Sequence, residues 1–341
     1  MSASLSRPGD AARRAASEYL TGELERPDAD LSPPPAAVAE FLRTHHQDLE
    51  AIEGELAAWS PPVWDFDVSR VHARRPLPDL YGLIQLERVL MARALAESRA
   101  GDASAARRTL DAAWNLNAGL RETPNAPCQI VAVATASRLV GVVRKIDVDP
   151  AVWRPRLTEH DYKRSMLDAE VLFHWPNAGK YRRSDGIEWN SEPIPRRWWT
   201  RLRRPFSSVV WSQVIEKMRR AYVEIRDAPV AREVPERPRA NETAADILFA
   251  ISWPNLYSTF LRVDEFALDA ELTDKILQAR QLRALNGGKW PAAIPGIAAT
   301  RYSGARWIYT VSPAGVMTLE LNQKPYKNRG GFQLPLRFTS S

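Results

Sequence analysis

Cysteine is almost absent from this chain. Cys128 is the single one in 341 residues, so no disulfide can close within it, and the sequence points to a reducing compartment. Placed at the start of an apolar helix, Cys128 reads as a small core residue. Histidine is scarce too. His45, His46, His72, His160 and His174 are scattered, and although Glu170 and His174 stand one turn apart on a predicted helix with His160 at its start, a metal site needs a third ligand and usually a fourth. No metal centre is expected. Long apolar runs are also missing: the most apolar stretch, Pro127 to Ile146, is interrupted by Arg138, Arg144 and Lys145, which argues against a membrane span of about 20 apolar residues. The opening MSASLSRPGDAARRAASEYL has no apolar core of a secretion signal, so the expected address is the cytoplasm.

What is present suits a folded helical protein. Hydrophobic residues make up 45% of the chain and there are twelve Trp, enough for one large helical domain or two closely packed units. In Pro127–Ile146 the apolar side chains Ile130, Val131, Val133, Leu139, Val140, Val142 and Val143 point in nearly every direction, which marks a helix buried on all sides. The rest of the chain is organised around it.

In order, a mobile segment over 1–35 is expected, with a short helix near Ala11–Leu24 and a stiff Pro33-Pro34-Pro35 spacer. An amphipathic helix follows over Ala36–Ala58, then a proline-rich crossing segment from Trp59 to Pro78. Helices Leu80–Arg99 and Ser104–Leu120 form a hairpin turned at Gly101-Asp102. Beyond the buried helix come a helix over Glu159–Phe173, a basic insertion over 176–206, a helix over Ser208–Arg226 and a linker over 227–240. A helix through Ile251 should break at Trp253-Pro254, and a final one should run from Asn255 to Leu285. Alternating Trp307–Val311 and Val316–Leu321 flank Ser312-Pro313-Ala314-Gly315 as a hairpin, with Ala298–Tyr302 as the third strand of a meander. Residues 323–341 read as a loose tail. The expected fold is therefore mainly α, a multi-helix bundle over 36–322 with a small C-terminal antiparallel β-meander.

Three polar features carry the candidate sites. Glu87 falls inside the apolar arc of its helix, and Arg138 lies midway along the buried one; buried ions are rare unless paired, so the two are expected to meet as a buried polar pair. Lys180–Arg204 holds eight Lys and Arg against Asp185, Glu188 and Glu192, a balance of +5 out of the chain's +6. Its densest part places Arg196, Arg197, Arg201, Arg203 and Arg204 around Trp198 and Trp199, a mixture used on anionic surfaces. No nucleic-acid-binding signature accompanies it. On the last long helix, Asp264, Glu265 and Asp269 weakly resemble the magnesium-binding carboxylates of class I isoprenoid cyclases, although the second Asn/Ser/Glu motif of those enzymes is not convincingly present.

The hairpin ALAESRAGDASAARRTLDAAW resembles a tetratricopeptide helix pair, with no second copy near 34 residues to make an array. More broadly, the order of a Leu-rich helix, GDASAARRTLDAAWNL, a buried Val/Ala helix and a last helix closing in NGGKWPAAIPG before a Trp/Tyr hairpin resembles a group of uncharacterised bacterial helical proteins, over residues 78–150 and 240–322. That resemblance implies a fold and no catalytic residues. Members of the group often begin with a membrane anchor, which is not read here. Two functions follow as expectations. One is a soluble helical scaffold or binding protein whose basic Trp/Arg segment takes an anionic partner, with no cofactor. The other is a helical enzyme on a hydrophobic or diphosphate-bearing small molecule, with magnesium held by Asp264, Glu265 and Asp269.

Overall fold

The structure, a computed structural model, describes residues 10–58, 79–123, 125–166, 168–169, 212–214, 216–217, 219–220, 223, 244–302, 304–323 and 337–341. In chain order its helices are α1 (Asp10–Glu25), α2 (Ala36–Thr44), α3 (His46–Ala58), α4 (Leu80–Arg99), α5 (Ala103–Arg121), α6 (Ala126–Lys145), α7 (Pro150–Thr158) and α8 (Ala244–Leu285). Strands β1 (Trp307–Val311), β2 (Met317–Leu321) and β3 (Arg337–Ser340) follow. The fold is mainly helical, closed by one small antiparallel sheet of order β1-β2-β3.

Local chemistry sets the helix ends. Asp79, Asp102, Asn125 and Asp149 each accept a hydrogen bond from a backbone N–H of the first turn of α4, α5, α6 and α7, and each such cap is worth about 1 kcal/mol. Gly101, at φ 84°, lets the chain leave α4: its N–H reaches the Ser98 carbonyl at 3.1 Å and that of Asp102 reaches Glu97 at 3.0 Å. These two bonds satisfy the last carbonyls of the helix and turn it back along α5.

α6 is the central helix, packed by α1, α4, α5 and α8. Its 20 residues are apolar enough to cross a membrane by length and composition, contrary to the sequence expectation, and no other helix among the described residues is. Leu139, Val140, Val142 and Val143 are all fully buried by the surrounding helices, each such side chain gaining about 1.5–3 kcal/mol. α1 lies so close to α6 that a Cβ on Gly141 would stand 2.8 Å from Leu24 Cδ2.

α8 divides two cores. Val263, Phe266, Ala270 and Leu277 face the bundle, whereas Leu268, Leu272, Ile276 and Ala279 face Trp290, Ile294, Trp307, Leu319 and Phe338. In the sheet, Tyr309 pairs with Leu319 and Leu319 with Phe338, so successive strands stack their inward residues on α8.

Several boundaries differ from those read in the sequence. The short helix expected near Ala11–Leu24 is α1, but its segment is not loose as expected: Ala16, Tyr19 and Leu20 are core residues. The helix over Ala36–Ala58 is two, parted at His45, where φ −103° and ψ 20° leave the helix. The region after Asp149-Pro150 forms α7, and helix resumes only at Tyr162. α8 runs unbroken past Pro254: proline's φ is itself helical, and the cost of about 3 kcal/mol is borne within one long helix. The third strand is Arg337–Ser340 from the expected tail, not Ala298–Tyr302. It also binds the N-terminal region, the Thr339 N–H donating to the Pro27 carbonyl at 2.7 Å.

Candidate functional site

The basic residues Arg196, Arg197, Arg201, Arg203 and Arg204 lie outside the described residues, as do Glu170 and His174. Cys128 is fully buried, and burial pushes its thiol up to about 11, so it is a core group and not a nucleophile.

The acids of α8 are held apart by their own cations. Asp264 pairs with Lys163 Nζ at 2.5 Å. Asp269 is buried against the guanidinium of Arg144 on α6, whose Nη1 also donates to Thr273 Oγ1 at 3.0 Å. Burial raises the pKa of Asp264, Glu265 and Asp269 alike, opposed chiefly by Lys163, Arg262 and Arg144 respectively. Asp264 and Asp269 are five residues apart on a helix and so turn toward different neighbours. Among the described residues no three His, Cys, Asp or Glu converge on a point where a metal ion could sit. Of the three acids expected to hold magnesium, Asp264 and Asp269 stand in separate ion pairs, with Lys163 and Arg144.

Glu87 and Arg138 are brought to the facing helices α4 and α6, but not into an ion pair. Glu87 is fully buried, and neither carboxyl oxygen has a hydrogen-bond partner. Thr135, which adjoins it, donates instead to the Val131 carbonyl at 2.8 Å and accepts from Asn117 Nδ2 at 2.8 Å. Burial pushes the Glu87 carboxyl up to about 8, against the pull of Thr135 and Arg138. It therefore holds its proton at neutral pH, and a neutral acid does not draw in a guanidinium. Asn117 carries the polar line onward, accepting from Tyr162 Oη at 3.0 Å. The hydroxyls and the amide thus join α5, α6 and the helical turn after α7.

A second buried cluster was not foreseen. Thr109 Oγ1 lies 2.9 Å from Glu53 Oε1 and 2.8 Å from Glu97 Oε2, while Arg93 Nε lies 2.6 Å from Glu97 Oε1 and 3.4 Å from Glu53 Oε1. One hydroxyl has one proton to give, so the second short contact requires a proton on a carboxyl. Burial raises the Glu53 pKa, opposed chiefly by Arg93. The sequence signal was available: Glu53 is four residues from Leu49 on the apolar face of α3, and Arg93 and Glu97 are four apart on α4.

His160 Nε2 lies 3.0 Å from Ser165 Oγ, a contact between a base and a hydroxyl. Burial and the adjacent Arg121 lower the imidazole to about 4. A nitrogen that weakly basic is a poor acceptor for a serine proton at neutral pH. Its neighbours are structural: Arg121 is bound to Glu159 at 2.5 Å and lies over the Trp114 ring at 4.5 Å. Comparison with protein-family models, curated proteins and solved structures finds no match.

Proposed function

We propose that this chain is a helical binding module that presents a basic Trp/Arg segment, Lys180–Arg204, to an anionic partner. The observation that carries the proposal is the distribution of charge. That segment supplies +5 of the chain's +6. In the helical body, by contrast, Arg93, Arg121, Arg144, Arg154 and Arg156 each face a carboxylate of another residue. Cations spent on holding helices together are not available to a partner, whereas a concentrated surplus is. Trp198 and Trp199 between the arginines add flat apolar area and cation–π contact to charge attraction.

The test is retention of the full chain on heparin and on vesicles containing an anionic lipid, across a salt series. Changing Arg196, Arg197, Arg201 and Arg203 together to Gln should release the protein at lower salt and flatten the salt dependence. Equal retention before and after the change would refute the proposal.

A further inference from the structure

Two carboxyls and one hydroxyl meet where α3 lies against the α4–α5 hairpin. Thr109 Oγ1, fully buried on α5, stands 2.9 Å from Glu53 Oε1 of α3 and 2.8 Å from Glu97 Oε2 of α4. Both contacts are of hydrogen-bond length, and a hydroxyl has a single proton to give. With both acids ionised, one of the two contacts would set a carboxylate oxygen against the lone pairs of Thr109. The two contacts therefore need two protons, the hydroxyl's own and one that belongs to the carboxyls.

The charges around the pair do not remove that need. From α4, Arg93 Nε lies 2.6 Å from Glu97 Oε1 and 3.4 Å from Glu53 Oε1, one cation between two acids. From α5, Arg108 also acts on Glu53, but it is exposed and bound to Ser104 Oγ at 2.9 Å, so water screens it. On α3 itself, His46 and Glu50 face each other at the surface at 3.3 Å. α3 is also the element most easily loosened. Of its 13 residues only Leu49, Ile52 and Glu53 are buried, whereas α4 and α5 are buried along most of their length. It packs chiefly on α5, and a free helix of that length is marginal in water. Among the described residues its polar ties to the hairpin are the Glu53 cluster, the Arg93 Nη1 contact to the His46 carbonyl at 3.5 Å and the Asn115 Nδ2 bond to the Leu56 carbonyl at 2.9 Å. Only the first holds a carboxyl.

We propose that Glu53, Thr109 and Glu97 form a proton latch: one proton shared by the two carboxyls fastens α3 to the α4–α5 hairpin, and its loss at rising pH loosens α3 while the hairpin stays packed. The direction follows from linkage between proton binding and docking. Burial raises the Glu53 pKa and the charge of Glu97 adds to the rise, against Arg93 and Thr109. An acid that titrates near 4.5 in the open chain and higher in the docked state favours docking fully below 4.5, and that contribution is lost as pH rises through the docked value. Between the two values the opening constant of α3 grows by up to about tenfold per pH unit.

The test is amide exchange of α3 in the full chain from about pH 5 to about pH 8, corrected for the intrinsic exchange rate. Opening of α3 should rise with pH in the unchanged protein. In Glu53→Gln the amide keeps a donor for Thr109 Oγ1 and does not titrate, so the rise should vanish. In Glu97→Gln the remaining acid has Arg93 and the hydroxyl proton to itself, and the rise should shrink. The buried Glu87 titrates in the same range, and Glu87→Gln should leave the α3 profile in place, which separates the two acids. A flat α3 profile in the unchanged protein overturns the proposal without any variant. So does a rise undiminished in either Glu53→Gln or Glu97→Gln, or one that is equally steep in α3 and in α4.

Discussion

The two faces of α8 are packed by opposite strategies. Toward the bundle, the interior admits ionisable groups: Glu87 without a partner, Glu53 and Glu97 around Thr109 and Arg93, and Asp269 against Arg144. Toward the sheet, the described interior is aliphatic and aromatic, and its polar atoms are carried by rings, among them the buried Trp290 Nε1, which has no hydrogen-bond partner. Trp307 Nε1 donates to Glu271 Oε1 at 2.5 Å, Tyr302 Oη to the Asp264 carbonyl at 2.8 Å and Tyr309 Oη to the Pro291 carbonyl at 2.8 Å. The difference follows from geometry. Sheet side chains alternate faces and leave the polar residues outside, whereas long helices crossing in several directions carry some polar positions into the interior. Those positions must then be paired or neutralised, and the bundle uses both solutions.

The largest effect should come from the pair that joins α6 to α8. Arg144→Ala leaves Asp269 buried beside Thr273 without its cation and should cost about 3–5 kcal/mol in urea denaturation. The joint replacement Arg144→Met, Asp269→Leu should recover most of that loss. If the single variant were as stable as the original protein, charge pairing would not be what distinguishes the bundle side.

Glu87 sharpens the comparison through pH. Its carboxyl titrates near 4.5 in the unfolded chain and near 8 in the folded one, so between these values the folded state holds the extra proton. Its contribution is fully favourable below pH 4.5 and is lost as pH rises through 8, at a slope of up to about 1.4 kcal/mol per pH unit. Glu87→Gln should abolish that part of the stability–pH curve. Identical curves for the two proteins between pH 5 and about 8 would show Glu87 to be ionised in the fold.

The smallest effect belongs to the sheet side. Trp307→Phe keeps the apolar ring and strands the Glu271 oxygen, costing about 1–3 kcal/mol. Amide exchange should quicken in β1, β2 and β3 and stay unchanged in α4 and α5. A loss of protection spread evenly over both regions would mean that α8 does not separate two cores.

Most helices were legible because their signals are local. Leu80–Arg99 was read to the residue from its apolar arc, with Gly101-Asp102 after it. The turn at Ser312–Gly315 was equally plain. What failed were the features in which local chemistry points the wrong way. Pro254 reads as a helix break although α8 runs through it, and Arg337–Ser340 reads as a tail because it carries no sign of the strand β2 that it pairs with. Asp149-Pro150, an N-cap followed by proline at the first helical position, is the local sign of α7.

For the candidate sites the division is sharper. The sequence alone determined that Glu87 and Arg138 occupy a buried helical arc, that the acids of α8 repeat along one helix, and that the positive surplus is concentrated in Lys180–Arg204, because periodicity and charge count are properties of residue order. Only the tertiary structure decided that Asp264 answers Lys163, that Asp269 answers Arg144, and that burial pushes the unpartnered Glu87 carboxyl up to about 8. A helix fixes the direction in which a side chain leaves its axis, but its partner and protonation state depend on which helix crosses at that height and on how much water the crossing removes.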